Sequence, residues 1–416
     1  MSYFNELEEK YKSKGLFNSG DNPISYPIGF PILDQNLGGI YRRQLPDGTI
    51  YEYKKLGIPA GTITQFGGSS STGKTTAGIQ ASWNIVEPFD DDAVVFHFDE
   101  ELATTYERVV SVTGATYERV RAKYRIYQDV CTWEGIQKML LVHIEERKAN
   151  PKRFMYKTGV LDINGNEIIY YKPTVVLIDS LMKVTSANED IDTISGLTSA
   201  GRETIYRNKF LRNMLTYMGK FNINIIFINH TANDMNMGKP GGGSKQLTFI
   251  ETGKMLPGGD KSIAWTTSII IFKTDNNKDN IKSEENEGYN GLTSKAMVTK
   301  SRSSKGGTIA HLEFSQEYGF DPKLTLMNFA KEKGIISGRN PSCYFACNPD
   351  IKFDTRIFIS EMKRDPRILQ MLAQQCKPEL EKLLHVFDLT DDNGDDPISS
   401  GKVRREFRDI LRDMYK

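Results

Sequence analysis

The 416-residue chain carries 54 Lys and Arg against 53 Asp and Glu, a net charge of +1, and is 38% hydrophobic, which suits one large domain with smaller attachments. That balance excludes polyanion binding by bulk charge, so any contact with nucleic acid has to come from local basic clusters. Four cysteines, of which only Cys343 and Cys347 lie close together, exclude a disulfide framework and leave no second ligand pair for zinc; with no apolar run near the roughly 18 residues of a membrane span and a charged start unlike a signal peptide, the expected setting is a reducing cytoplasm.

Residues 2–14 place Phe4, Leu7 and Tyr11 on one helical face before Gly20-Asp-Asn-Pro23 breaks the pattern, which fits an arm (1–30) docking on a neighbour or a helix folded on its own core. Alternation around Pro46-Asp47-Gly48 predicts a β-hairpin over 40–56. The apolar stretch Thr62–Phe66 then leads into Gly68-Ser69-Ser70-Ser71-Thr72-Gly73-Lys74-Thr75, with Thr76 continuing into a helix. Strand, glycine-rich loop and helix in that order are the signature of a phosphate-binding P-loop. Backbone N–H groups and the helix N-terminus cradle a triphosphate, Lys74 reaches the β- and γ-phosphates, and the Thr75 hydroxyl ligates Mg²⁺.

Apolar strand runs follow at 93–98, 174–178, 223–228 and 268–272, with helical stretches between them and a second hairpin over 155–172 turning at Asn164-Gly165-Asn166. This alternation predicts a mostly parallel α/β sheet, and such sheets bind ligands at the carboxyl ends of their strands. The first run ends in Asp99-Glu100-Glu101, where Glu101 is placed to polarise an attacking water and Glu100 is its rival. The second ends in Asp179, positioned as a Mg²⁺-holding carboxylate or as a helix N-cap. The third ends in His230, which is either a phosphate contact or a structural histidine. Arg202, Arg207, Lys209 and Arg212 follow a polar stretch at 186–201, with Arg202, Lys209 and Arg212 spaced to share a helix face that can neutralise phosphates. The segment 231–257, with Lys245 and Phe249, lacks periodicity; Gly258 and Gly259 open the next helix, whose backbone N–H groups are placed to bind a DNA phosphate.

Taken in order, Gly57-Ile-Pro-Ala-Gly-Thr-Ile-Thr64, Phe98-Asp-Glu-Glu101, Val176-Leu-Ile-Asp-Ser-Leu181, Ile228-Asn-His-Thr231, Gly258-Gly259 and Lys300-Ser-Arg302 resemble the RecA-type recombinase family, most closely its phage UvsX branch. The resemblance runs from about Gly29 to the Pro366 region. It implies a RecA-like P-loop core (31–327) with a mostly parallel twisted sheet, a short N-terminal helical arm, and a small C-terminal α/β domain (328–416) that gathers duplex DNA.

By the same resemblance the chain is a DNA-dependent ATPase using ATP and Mg²⁺, and Glu101 is the catalytic carboxylate. His230 couples the γ-phosphate to a DNA loop at 231–257, a second DNA loop covers 186–201, and Lys300 with Arg302 reach a neighbouring subunit's γ-phosphate. Either Tyr106 or Arg108 stacks on adenine. The implied partners are single- and double-stranded DNA, further copies in a helical filament, a recombination mediator and a single-strand-binding protein, in a bacterial host's cytoplasm. The C-terminal aspartates from Asp388 to Asp396 are expected to compete with DNA for basic surface. A ring-forming replicative helicase shares the P-loop and acidic strand ends, but the 30 residues before the core are too few for its N-terminal domain. A regulatory ATP-binding filament without strand exchange is the third alternative.

Overall fold

Continuous apolar runs form the strands, as expected where a parallel sheet is covered on both faces. The computed structural model describes residues 24–129, 131–186, 199–233, 254–256, 265–274, 291–315 and 317–388. Among these, nine strands make one sheet: β1 (Ile63–Gly68), β2 (Val94–Asp99), β3 (Tyr124–Tyr127), β4 (Thr174–Asp179), β5 (Ile223–His230), β6 (Ser268–Thr274), β7 (Gly291–Ser301), β8 (Thr308–Ser315) and β9 (Gly319–Phe320). Their spatial order is β3-β2-β4-β5-β1-β6-β7-β8-β9. The first six run parallel, and β7 to β9 extend that sheet as an antiparallel meander. The protein is therefore α/β with a large, mostly parallel sheet. The antiparallel extension was not among the sequence expectations.

Side chains along β4 and β5 alternate between two cores, the period-two pattern of a pleated sheet. Val175, Leu177, Ile226 and Ile228 pack with Ala77, Ile79 and Val86 of helix α1 (Lys74–Val86). Val176, Ile178, Ile225 and Phe227 pack on the other face with α2 (Trp133–Ala149) and α3 (Ser199–Phe221). No helix among the described residues is long and apolar enough to cross a membrane.

Both expected hairpins form, from Gly39–Gln44 with Ile50–Lys55 and from Met155–Leu161 with Glu167–Tyr171. The first gains a third strand from far along the chain, because His385–Asp388 pairs parallel to Gly39–Gln44. The C-terminal part comprises helix α4 (Pro322–Glu332), a three-stranded antiparallel sheet over 336–353, and helix α5 (Arg367–Glu381). Its Leu324, Phe345, Phe353 and Leu372 belong to the same apolar cluster as Phe272 of the main sheet. Of the arm expected at 1–30, residues 24–30 join the main core through Ile24, Tyr26, Ile28 and Phe30; residues 1–23, most of the two segments expected as DNA loops with Lys245 and Phe249, the glycines Gly258 and Gly259, and the segment 389–416 lie outside the described residues.

One buried cation ties the second core together. Arg147 of α2 donates to the carbonyls of Lys172 (2.8 Å) and Phe221 (2.6 Å) and to the Thr174 hydroxyl (2.5 Å). It thereby joins α2, the start of β4 and the end of α3. Arg147→Ala orphans these buried acceptors and is expected to lower stability by about 3 kcal/mol. A urea denaturation midpoint unchanged from wild type would reject that role.

Candidate functional site

Backbone register assembles the site before any side chain is considered. Asp179 of β4 is the pairing partner of Asp99 on β2, and His230 of β5 is the partner of Gly68 on β1. Four carboxyl ends thus meet at one edge of the sheet, where the 68–75 loop turns into α1. Two glycines permit that turn. A Cβ on Gly68 would lie 2.3 Å from the Phe272 carbonyl oxygen, and Gly73 has φ +87° with Phe320 3.0 Å from where its Cβ would be. In that left-handed region a side chain is strained.

At the start of α1, Gly73 offers no side-chain cap, so the helix's first N–H groups are left for a ligand. Lys74 Nζ donates to the Ser69 carbonyl at 2.5 Å. The Thr75 hydroxyl donates to Asp179 Oδ2 at 2.6 Å. Burial depresses the Lys74 ammonium to a pKa of about 8 against the pull of Asp179 and Glu101. It also raises Asp179 to about 6, with the Thr75 hydrogen bond opposing and the charges of Glu101 and Asp99 reinforcing. Both groups therefore gain from a ligand set that brings them opposite charge. The hydroxyl of Thr75 and the carboxylate of Asp179 form a hard-oxygen pair that fits Mg²⁺, an ion that completes its shell with water and phosphate oxygens.

Lys74 and Thr75 border a cleft of about 480 Å³, also lined by Ser70, Ser71, Glu101 and His230, and the buried Asp179 stands behind Thr75. No protein-family model matches the chain, and no curated protein matches it. What the arrangement can do is therefore read from its own geometry. Glu101 Oε1 lies 3.3 Å from His230 Nε2 and 3.9 Å from Lys183 Nζ. Glu100 is turned elsewhere, with its Oε1 accepting from the Cys131 N–H at 2.8 Å.

Arg108, on the helix Tyr106–Thr113, lines the cleft. It donates to the Thr76 hydroxyl (2.9 Å) and the Glu317 carbonyl (3.0 Å). Tyr106 is not among the lining residues; its hydroxyl accepts from the Ile126 N–H at 3.4 Å and its ring lies under Arg121. Arg108→Ala is expected to raise the Kd for ATP about tenfold, and Tyr106→Ala to leave it within about twofold. Titration with a fluorescent ATP analogue checks this, and the reverse ranking would move the base contact to Tyr106.

The remaining sequence candidates fall elsewhere. Lys300, the partner of Ile269, and Arg302 lie at the amino end of β6, whereas Phe272 at its other end pairs with Gly68. They are therefore remote from the 68–75 loop. Burial, and secondarily the Arg302 charge, depresses Lys300 to about 8. On α3, Lys209 and Arg212 are exposed. Arg207 is 2% exposed, with its guanidinium at the Met182 sulfur and the Thr204 hydroxyl, so it is withdrawn from their face. The side chain of Arg202 lies outside the described residues. Phe314 of β8 lines the cleft without having been anticipated, because an apolar residue in an alternating strand is indistinguishable from core.

Proposed function

We propose that the chain is a DNA-dependent ATPase of the RecA recombinase type, which forms helical filaments on single-stranded DNA and carries out homologous pairing and strand exchange. The observation that carries the ATPase part is the 2.6 Å hydroxyl–carboxylate contact between Thr75 and Asp179, with Thr75 lining one cleft together with Lys74 and Glu101. Lys74 and the loop N–H groups hold the β- and γ-phosphates. Thr75 and Asp179 would hold Mg²⁺, which supplies neutralisation of phosphate charge when bound. Glu101 accepts the proton of the attacking water.

The contact between Glu101 and His230 supports a sensor role, because His230 leads straight into the segment assigned to DNA. The position of Lys300 and Arg302, remote from their own loop, supports action on a neighbour's phosphates. The recombinase part draws on the family resemblance and on the exposed Lys209 and Arg212. Changing both to Ala is expected to weaken single-strand binding at low salt and to reduce the slope of log affinity against log salt by about 1.4, at roughly 0.7 per phosphate contact. An unchanged slope would remove this helix from the DNA interface.

Electron microscopy with single-stranded DNA and a non-hydrolysable ATP analogue tests the whole reading. Open helical filaments coating the DNA are expected. Closed rings, or bare DNA beside unassembled protein, would overturn it.

A further inference from the structure

Behind Thr75, Asp179 belongs to a buried polar cluster whose other two members, His97 and Asp99, have no part in the reaction above. His97 and Asp99 alternate along β2 and so point to one face, and Asp179 stands beside Asp99 in register. A ring nitrogen of His97 and one carboxylate oxygen from each aspartate lie within 4.8 Å of one another. His97 is 0% exposed and the two aspartates 1% each. Such a trio of buried groups is fully paired in most proteins; here it is not.

Asp99 Oδ2 accepts from the Thr104 N–H (2.7 Å) and the Gln128 amide (2.9 Å). Asp179 Oδ2 is taken by Thr75, and His97 Nδ1 is 3.0 Å from the Tyr124 hydroxyl. His97 Nε2, Asp99 Oδ1 and Asp179 Oδ1 remain without a hydrogen-bond partner. Two adjacent buried carboxylates repel each other, and the arrangement calls for a compensating positive charge.

We infer that His97, Asp99 and Asp179 form a second, interior cation site for a divalent transition ion of the Mn²⁺ or Zn²⁺ class, separate from the Mg²⁺ position beside Thr75. One imidazole nitrogen with two carboxylate oxygens is a mixed donor set that such ions accept, whereas Mg²⁺ favours oxygen donors and retained water. Donors about 2.1 Å from a shared ion stand roughly 3–4 Å apart, so small side-chain rotations close the present spacing. The hydrogen bonds on Asp99 Oδ2 and His97 Nδ1 would orient the ligands from behind, as outer partners do in metal sites. The ion would join the ends of β2 and β4 and fix the carboxylate that faces Thr75. Nothing in this inference depends on ATP.

The full chain is produced in medium supplemented with Mn²⁺, exchanged without nucleotide into Mg²⁺ buffer, and assayed by elemental mass spectrometry and pulsed EPR. About one Mn²⁺ per chain is expected to remain, with ¹⁴N modulation from one directly bound imidazole. His97→Gln is expected to cut retention at least tenfold and abolish the nitrogen signal. Asp99→Asn cuts retention while any bound ion keeps that signal, and it carries the test alone if the His97 variant does not fold. Retention below a tenth of an equivalent in wild type, an oxygen-only ion, or retention unchanged in the variants would each overturn the site.

Discussion

Glu101→Gln is expected to lower DNA-stimulated ATP turnover about 10²–10⁴-fold, the range for loss of a general base, and to leave nucleotide affinity within about threefold. Glutamine keeps the side chain's length and can still bond His230, which now sits 3.3 Å from Glu101, but it cannot accept a proton from water. The adjacent Glu100→Gln is expected to leave turnover within about threefold, since that carboxylate is committed to the Cys131 N–H. A coupled ATPase assay with single-stranded DNA measures both. Retained turnover in Glu101→Gln together with loss in Glu100→Gln would exchange their roles.

Lys74→Ala is expected to weaken ATP binding about 100-fold or more and to abolish the proposed filaments. Lys74 is 5% exposed, and its ammonium rests on the Ser69 carbonyl, a neutral acceptor in the place where phosphate oxygens would bind. Charge-assisted hydrogen bonds are about twice as strong as neutral ones, and truncating one partner of a buried charge pair costs about 2–5 kcal/mol. Calorimetric titration with ATP and Mg²⁺ reads the loss directly. Affinity within threefold of wild type would mean that the 68–75 loop does not hold phosphate.

Much of this arrangement was legible in the residues themselves. The 68–75 loop was expected between a strand and a helix, and it lies between β1 and α1; the runs at 174–178 and 223–228 are apolar on both faces because helices cover both. Pro46-Asp47-Gly48 and Asn164-Gly165-Asn166 marked their turns because these residues adopt turn backbones at little cost. Strand order was less accessible. That Asp99 sits beside Asp179 follows from β4 lying between β2 and β5, a pairing that periodicity cannot specify. His97 reads in sequence as one polar residue inside a strand and acquires neighbours of chemical interest only through that pairing. Arg207 shares a helix with Lys209 and Arg212, yet packing against Met182 determines its burial. Helical spacing alone carries no such information.

The position of β1 in the sheet bears on how the chain is made. Its neighbours are β5 and β6, and the nearer of them in sequence pairs Ile225 with Ile63, about 160 residues later. At about 5–20 residues per second of synthesis, the strand that leads into the 68–75 loop leaves the ribosome roughly 8–30 s before its first sheet partner exists. During that interval Ile63 and Phe66, fully covered in the finished fold, have no strand beside them, and a nascent chain halted before β5 lacks His230 and so the completed cleft. Any ligand of that cleft could assist folding only late in translation, and the waiting strand is the segment that a holding chaperone would be expected to occupy first.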